Sequence, residues 1–232
     1  MKVSVCVAVF NGAEYINEQI KSILFSSSVD EVIISDDGST DGTLDIIGDI
    51  VDDRVRLIKG PATGVIDNFS NALHHATGDV FFLSDQDDVW TQDKIDKVLP
   101  LLNKFCLVVT DCCVVDVELK IINPSFFSIN NSKAGLFHNL KSNGYLGCCM
   151  AFNKEVLDRA LPFPPNIAMH DWWIGLIAET VGPVIFLEEN LLLYRRHGNN
   201  VSLASEKSTY PLVKKVAWRI SIAFNLFVRR FL

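Results

Sequence analysis

The sequence predicts an α/β protein built on a mainly parallel, doubly wound central sheet. Three observations carry that expectation. Apolar strand-like segments alternate with helical periodicities, the first strand is apolar on both of its alternating faces, and polar clusters recur just beyond the strand ends.

Residues 3–10 are β-branched and apolar on both faces, which suits a strand covered on both sides. Asn11-Gly12 ends it, and Ile16, Ile20, Ile23 and Leu24 then recur at helical spacing. Val32-Ile33-Ile34 is a second strand, closed by Ser35-Asp36-Asp37-Gly38-Ser39-Thr40-Asp41-Gly42. A helix over residues 43–51 follows, with Leu44, Ile47 and Val51 on one face. Residues 54–59 form a short third strand, and Gly60-Pro61 turns the chain. Ile66, Phe69, Leu73 and Ala76 make the inward stripe of another helix, which Gly78 caps. Residues 80–83 re-enter the sheet. Such alternation implies βαβ crossovers, and ligands of these sheets bind at the carboxyl ends of the strands. The polar clusters Asn11, Asp36-Asp37 and Asp85-Asp87 all lie at such ends, so they are expected to converge on one crevice.

The second half is less regular. Residues 106–117 are strongly β, with Asp111 in the middle as an edge or bulge residue or as a group pointing into the crevice. Residues 123–143, rich in Asn, Ser, Lys and Phe, read as a mobile connection able to cover the crevice or contact a second substrate. A strand over 147–152, a helix over 154–160 and a Pro-rich linker over 161–165 lead to Met169-His170-Asp171-Trp172-Trp173, with Asp171 at a helix start. Strands at 184–187 and 191–195 end in Tyr194-Arg195-Arg196-His197-Gly198-Asn199-Asn200. From about residue 210, Val213, Val216, Ile220, Phe224, Phe227 and Phe231 recur at helical spacing, with Lys214, Lys215, Arg219, Arg229 and Arg230 elsewhere around the helix. Such a basic amphipathic helix either lies on an anionic bilayer or docks on its own domain or a second copy.

At 232 residues, with 49% hydrophobic and 21% charged residues, the chain can bury a substantial core. Its net charge of -7 argues against a nucleic-acid partner. Cys6, Cys106, Cys112, Cys113, Cys148 and Cys149 have no zinc-type spacing and read as reduced core thiols. No segment has the apolar length of a membrane span and no signal peptide is evident, so the expected location is the cytoplasm or the cytoplasmic face of the inner membrane.

The most informative stretch is Ser84-Asp85-Gln86-Asp87-Asp88-Val89-Trp90, three carboxylates directly after a buried apolar run. Like charges this close repel unless a cation or hydroxyl-rich ligand sits among them. Asp85 and Asp87 are therefore expected to hold a divalent metal and a nucleotide ribose. The alternative is a solvated turn with a helix cap at Thr91 or Asp93.

Residues 5–11 with Tyr15-Ile16, Ile34 to Thr43 (ISDDGSTDGT), Ala76-Thr77-Gly78-Asp79 leading into SDQDDVW, the HDWW stretch and YRRHGNNVS together resemble family 2 glycosyltransferases of the GT-A fold, in the family's order and spacing. The resemblance spans residues 1 to about 202 and implies a three-layer α/β sandwich. It implies a domain over 1–204, with a nucleotide-sugar-binding half (1–105) and an acceptor and catalytic half (106–204), followed by the helix at 205–232. By the same resemblance Ala8, Phe10, Asn11, Asp36, Asp37, Asp85 and Gln86 bind the nucleotide sugar, with Arg195 or Arg196 near the diphosphate. Asp87, Asp85 and His197 hold Mg²⁺ or Mn²⁺, and Asp171 is the catalytic base, preceded by His170 where such enzymes usually carry Glu.

The wording of SDQDDVW and HGNNVS is most similar to bacterial transferases of surface-polysaccharide synthesis, many described as rhamnosyltransferases. That implies a UDP-hexose donor first and dTDP-rhamnose second, and a polyprenyl-diphosphate-linked glycan acceptor at the inner membrane, with a homodimer as a further expectation. The rival functions are a nucleotide-sugar-binding module without transferase activity and a sugar nucleotidyltransferase. The latter usually carries a Gly-rich, basic loop where this chain has Asn11-Gly12-Ala13-Glu14.

Overall fold

The computed structural model describes residues 1–198 and 211–231. Asn199 to Ser202 of the late motif and the boundary expected at 204/205 lie outside them, as do the side chains of Arg230 and Phe231. The first half alternates as expected: β1 (Val3–Val9), α1 (Ile16–Leu24), β2 (Glu31–Asp36), α2 (Thr43–Gly48), β3 (Val55–Lys59), α3 (Val65–His75) and β4 (Val80–Ser84). Then come β5 (Val89–Trp90), α4 (Lys94–Val98), β6 (Leu107–Val115), β7 (Ile121–Asn123), α5 (Phe126–Asn130) and α6 (Leu136–Lys141). The chain closes with β8 (Met150–Asn153), α7 (Lys154–Ala160), α8 (His170–Val181), β9 (Val184–Arg195) and α9 (Leu212–Phe231).

The strands form one sheet in the order β3-β2-β1-β4-β8-β6-β9-β5, with β7 paired to β6. The β3-β2-β1-β4 half is parallel throughout, and β6 pairs in parallel with β9. Antiparallel β8 sits between β4 and β6, so β1, β2, β3, β4, β6 and β9 all point the same way. Their carboxyl ends therefore open on one edge. Both faces are covered: β1 and β4 are buried almost throughout, and Ile16, Ile20 and Ile23 of α1 and Phe69 and Leu73 of α3 are fully enclosed.

Several local expectations are corrected. β9 is one strand rather than two, because the polar Glu188-Glu189-Asn190 stretch passes through register shifts opposite Thr110 to Cys113 without leaving the sheet. Asp111 sits at that irregularity and accepts from the Cys112 amide (2.8 Å), the Phe127 amide (2.9 Å) and the Ser125 hydroxyl (2.5 Å). It thereby folds the expected loop of residues 123–143 into α5, after which the chain forms α6. Residues 147–149 form a 3₁₀ turn before β8. α2 ends at Gly48, and of its expected inward stripe only Ile47 is buried, Val51 being fully exposed. Gly78 is no helix cap; it lies where a side chain would strike Ser4 Oγ and the Lys2 carbonyl.

α9 docks on the body through a face other than the apolar stripe read from the sequence. Ile222 and Leu226 are buried, Arg219 donates to the Lys141 carbonyl (2.7 Å), and Arg229 donates to the carbonyls of Leu161 (2.9 Å) and Pro162. Val213, Val216, Ile220, Phe224 and Phe227 face outward, with Ile220 and Phe224 each 65% exposed. Among the described residues no helix is long and apolar enough to cross a membrane.

The packing of α8 yields a stability test. A Cβ on Gly175 would lie 2.4 Å from the buried Tyr145 ring, whose hydroxyl donates to Glu179. Gly175→Ala is expected to lower the unfolding free energy in urea by about 1–3 kcal/mol through overpacking. Gly48→Ala, which meets nothing within 4 Å, is expected to leave it unchanged or raise it by up to about 1 kcal/mol.

Candidate active site

A cleft of about 900 Å³ opens along the carboxyl edge of the sheet. It is lined by Ala8, Phe10, Asn11 and Asp37, by Asp85, Gln86 and Asp87 with His197 beside Asp87, and by Gly147, His170 and Asp171. Parallel strands deliver the first two groups, and the long chain excursion through β6, β8 and α8 delivers the third. Glu14, Tyr15 and Asn68 join the lining without having been singled out in the sequence.

Backbone donors fix the first wall. Asp37 accepts from the amides of Ala62 (2.7 Å) and Gly64 (2.8 Å) and stays on the cleft surface. Gly60 makes that approach possible, since a Cβ there would lie 2.7 Å from Asn68 Oδ1 and 2.9 Å from Asp37 Oδ1. Asp36 turns its carboxylate to the Gly38 and Ser39 amides (3.0 Å each) and the Ser39 hydroxyl, bracing its own turn behind the cleft wall. Gln86 exchanges two hydrogen bonds with the Phe10 backbone, accepting at 2.8 Å and donating at 3.1 Å, and so ties the end of β1 to the acidic turn.

The acidic turn is held from below by α1. Gln19, fully buried, donates to Ser84 Oγ (2.5 Å), and Ser22 Oγ accepts from the Trp90 amide (3.0 Å), so both ends of residues 84–90 are pinned. Two buried basic side chains flank the turn, Arg195 with its charge acting on Asp87 and Lys94 with its pKa lowered by burial. Arg195 donates from its backbone to Asp88 (3.0 Å) and from Nε to the Asp87 carbonyl (2.9 Å). Lys94 lies over the Trp90 ring at 4.2 Å and donates to the Cys148 carbonyl (2.8 Å). Arg195 and Arg196 are not on the cleft lining among the described residues.

Burial, followed by the charges of Asp87 and Asp171, pushes the Asp85 carboxyl up to about 7. Asp87 is also raised by burial, with His197 opposing the shift, and Asp88 is raised by burial and by both neighbouring carboxylates. A site with several carboxylates unable to ionise together fits a divalent cation. Asp87 Oδ2 and His197 Nε2 stand 2.8 Å apart at the cleft surface. That is close to the spacing, about 3 Å, of adjacent donors around an ion with bonds near 2.1 Å. Asp87 and His197 thus present an oxygen and a nitrogen donor at a spacing that a divalent cation suits, with Asp85 also on the cleft lining. Asp85, Asp88 and Cys148 form a second, deeper group whose donor atoms lie within 4.8 Å of one another.

Asp171, whose charge acts on Asp85, lies in the first turn of α8. Its Oδ1 accepts from the Trp172 amide (2.5 Å) and from Asn143 (3.3 Å), a residue of the segment after α6. His170 stacks on Phe69 with ring centroids 4.1 Å apart, and its pKa is lowered to about 3 by burial, so it stands beside Asp171 as a neutral ring.

Some of these residues left a trace in the sequence. Gln19 and Lys94 each occupy a position within an apolar helical stripe, beside Ile16 and Ile20 and beside Ile95 and Val98, where a polar residue needs a buried partner. Tyr15 stood in the family resemblance and Asn143 at the end of the 123–143 segment, neither with a role of its own, and Glu18 left no trace.

Burial raises the Asp171 carboxyl to about 6, with the Trp172 amide and Asn143 opposing. A folded-state value above the unfolded one, about 3.9, favours the protonated fold; that stabilisation is full below about pH 4 and is lost as the pH rises through 6. Asp171→Asn removes the buried charge. Relative to the parent, it is expected to gain about 2–3 kcal/mol in urea unfolding at pH 8 compared with pH 4.

The glycosyl transferase family 2 profile matches residues 4–161. The dTDP-rhamnosyl transferase RfbG of Shigella flexneri is 28% identical over 215 residues, covering 84% of this chain and 72% of that protein. Among solved structures, S. aureus TarS in complex with UDP-GlcNAc superposes with a TM-score of 0.75 at 17% identity, over 97% of this chain and 66% of that one. The mannosyltransferase PcManGT of Pyrobaculum calidifontis, in complex with GDP-Man and Mn²⁺, superposes with a TM-score of 0.63 at 22% identity, over 98% of this chain and 62% of that one. The chain thus spans about two-thirds of these neighbours and shares their fold. With a family match across most of its length and a sheet that gathers the matched motifs around one cleft, the chain belongs to glycosyltransferase family 2 and has the GT-A fold.

Proposed function

We propose that the chain is a metal-dependent, inverting glycosyltransferase. It transfers a sugar from a nucleotide-sugar donor to a hydroxyl of a lipid-diphosphate-linked glycan in bacterial surface-polysaccharide (O-antigen or capsule) synthesis. The observation that carries this reading is one cleft lined both by Asp171 and by Asp85, Asp87 and His197. A plain binding module has no use for a buried, destabilising carboxylate in one cleft with metal-type donors.

In this reading Asp37, Asn11 and Phe10 take the nucleoside side of the donor, and Asp85 and Gln86 lie where the ribose and sugar meet. Asp87 and His197, with Asp85, would hold Mg²⁺ or Mn²⁺, which when bound supplies Lewis-acid stabilisation of the diphosphate leaving group. Asp171 accepts the acceptor hydroxyl's proton as that oxygen bonds to the anomeric carbon. The bond to the diphosphate oxygen breaks, and the electron pair leaves with the nucleoside diphosphate. Attack from the face opposite the leaving group inverts the anomeric centre. Asn143 and the Trp172 amide orient the Asp171 carboxylate through Oδ1 for that proton transfer.

UDP-hexose is the first donor to test and dTDP-rhamnose the second. The complex of TarS with UDP-GlcNAc supports the former, and the similarity to a dTDP-rhamnosyl transferase supports the latter. The outward apolar stripe of α9, with Lys214 exposed near its start, supports a location on the anionic cytoplasmic face of the inner membrane, where a polyprenyl-linked acceptor would lie.

Asp171→Asn is expected to lower transfer by about 10²- to 10⁴-fold while donor binding stays intact. The parent enzyme's kcat/KM is expected to fall as the pH drops below about 6, where Asp171 is protonated. Undiminished transfer by this variant would remove Asp171 as the base. For the membrane, Ile220→Glu combined with Phe224→Glu is expected to abolish co-sedimentation with anionic vesicles without lowering Tm, because both side chains already face outward. Unchanged sedimentation would exclude this face as the membrane contact.

A further inference from the structure

Arg195 was expected near the diphosphate, yet its side chain is 5% exposed and turned into the protein. Nε donates to the Asp87 carbonyl (2.9 Å), Nη1 donates to the Val117 carbonyl (3.0 Å), and Nη2 pairs with Glu18 of α1 (2.5 Å). The guanidinium lies 4.6 Å from the centre of the Tyr15 ring. Tyr15 in turn stacks on His197, with centroids 5.1 Å apart and planes 22° from parallel, and His197 meets Asp87 at 2.8 Å. The contacts close a circuit that leaves Asp87 by its backbone carbonyl and returns to it at its carboxylate.

Each link constrains a different degree of freedom. The hydrogen bond to the Asp87 carbonyl fixes the backbone of the acidic turn, and the Arg195 amide fixes the Asp88 carboxylate. The cation–π contact locks Tyr15, whose ring limits the tilt of the His197 imidazole. Glu18 holds the guanidinium fork in the orientation all three contacts need. A planar fork can satisfy two carbonyls, a carboxylate and a ring face together. A lysine ammonium cannot.

We propose that Arg195 is a positioning residue that acts with Tyr15 as a brace, setting Asp87 and His197 at cation-ligating distance, and that it makes no direct contact with the donor diphosphate. The inference rests on the transferase reading only in taking Asp87 and His197 as the cation site. Groups that orient metal ligands in this way commonly change metal affinity by about 10- to 100-fold when altered.

The test measures two affinities separately: Mn²⁺ in the presence of saturating UDP, from the electron paramagnetic resonance signal of free Mn²⁺, and UDP in EDTA by calorimetry. Arg195→Lys is expected to weaken Mn²⁺ binding by about 10- to 100-fold while metal-free UDP affinity stays within about twofold. Tyr15→Leu is expected to weaken Mn²⁺ binding in the same direction, and Tyr15→Phe, which keeps the ring, to retain parental affinity. Loss of metal-free UDP affinity in Arg195→Lys with Mn²⁺ affinity preserved would overturn the brace and make Arg195 a diphosphate contact. If Arg195→Lys does not fold, as judged by circular dichroism, Tyr15→Leu decides: parental Mn²⁺ affinity there also overturns the brace. A parent protein that binds neither UDP nor Mn²⁺ would instead overturn the transferase reading itself.

Discussion

A buried arginine beneath crowded carboxyls is the interaction on which the rest of this structure depends. Two carboxylates about 5 Å apart repel by about 3 kcal/mol at an effective dielectric near 20, and Asp85, Asp87 and Asp88 form three such neighbours in one turn. Arg195 answers them from within the protein, and Gln19 and Ser22 pin the turn's two ends. Much of the fold's unusual polarity follows from that need. Gln19 sits in an apolar helical stripe and finds its partner in Ser84 at the start of the turn, and the end of β9 carries Arg195 beneath Asp87.

Elsewhere in the cleft a different balance holds. Asp171 is buried and pushed up to about 6, so the fold is less stable for having it ionised. Its neighbour His170 is kept neutral by the same burial and adds no compensating charge. The cleft carboxylates, each costly alone, are what a polar, cation-carrying substrate would relieve on binding. The cleft reads as a site whose electrostatics are completed by its ligand.

α9 shows a related economy of surface. A helix with one apolar stripe would have to choose between packing on its own domain and facing outward. This helix has two faces: Ile222 and Leu226, with two arginines hydrogen-bonded to body carbonyls, dock it, and the longer stripe from Val213 to Phe227 stays outside. Docking and presentation to a surface are therefore compatible in one element.

The sequence by itself determined the strand–helix alternation of the first half, the side of the sheet on which its polar strand ends meet, and the motifs that identify the family. These are local: period-two and period-3.6 apolar patterns and turn residues depend on neighbours in the chain. The second half was harder to read because its regularity is imposed from a distance. Asp111 organises α5 through Ser125 and the Phe127 amide, and β9 runs unbroken through Glu188 to Asn190 because β6 pairs with both of its ends. In the site, the identity of the acidic residues was legible, and their division of labour was not. Only the tertiary structure turned Asp36 into its own turn and Arg195 inward beneath the cleft, and only it brought Asn143 to Asp171 and Tyr15 between Arg195 and His197. For Arg195 and Asp171 the direction of the side chain depends on partners distant in the chain, and that is a property of the packed chain.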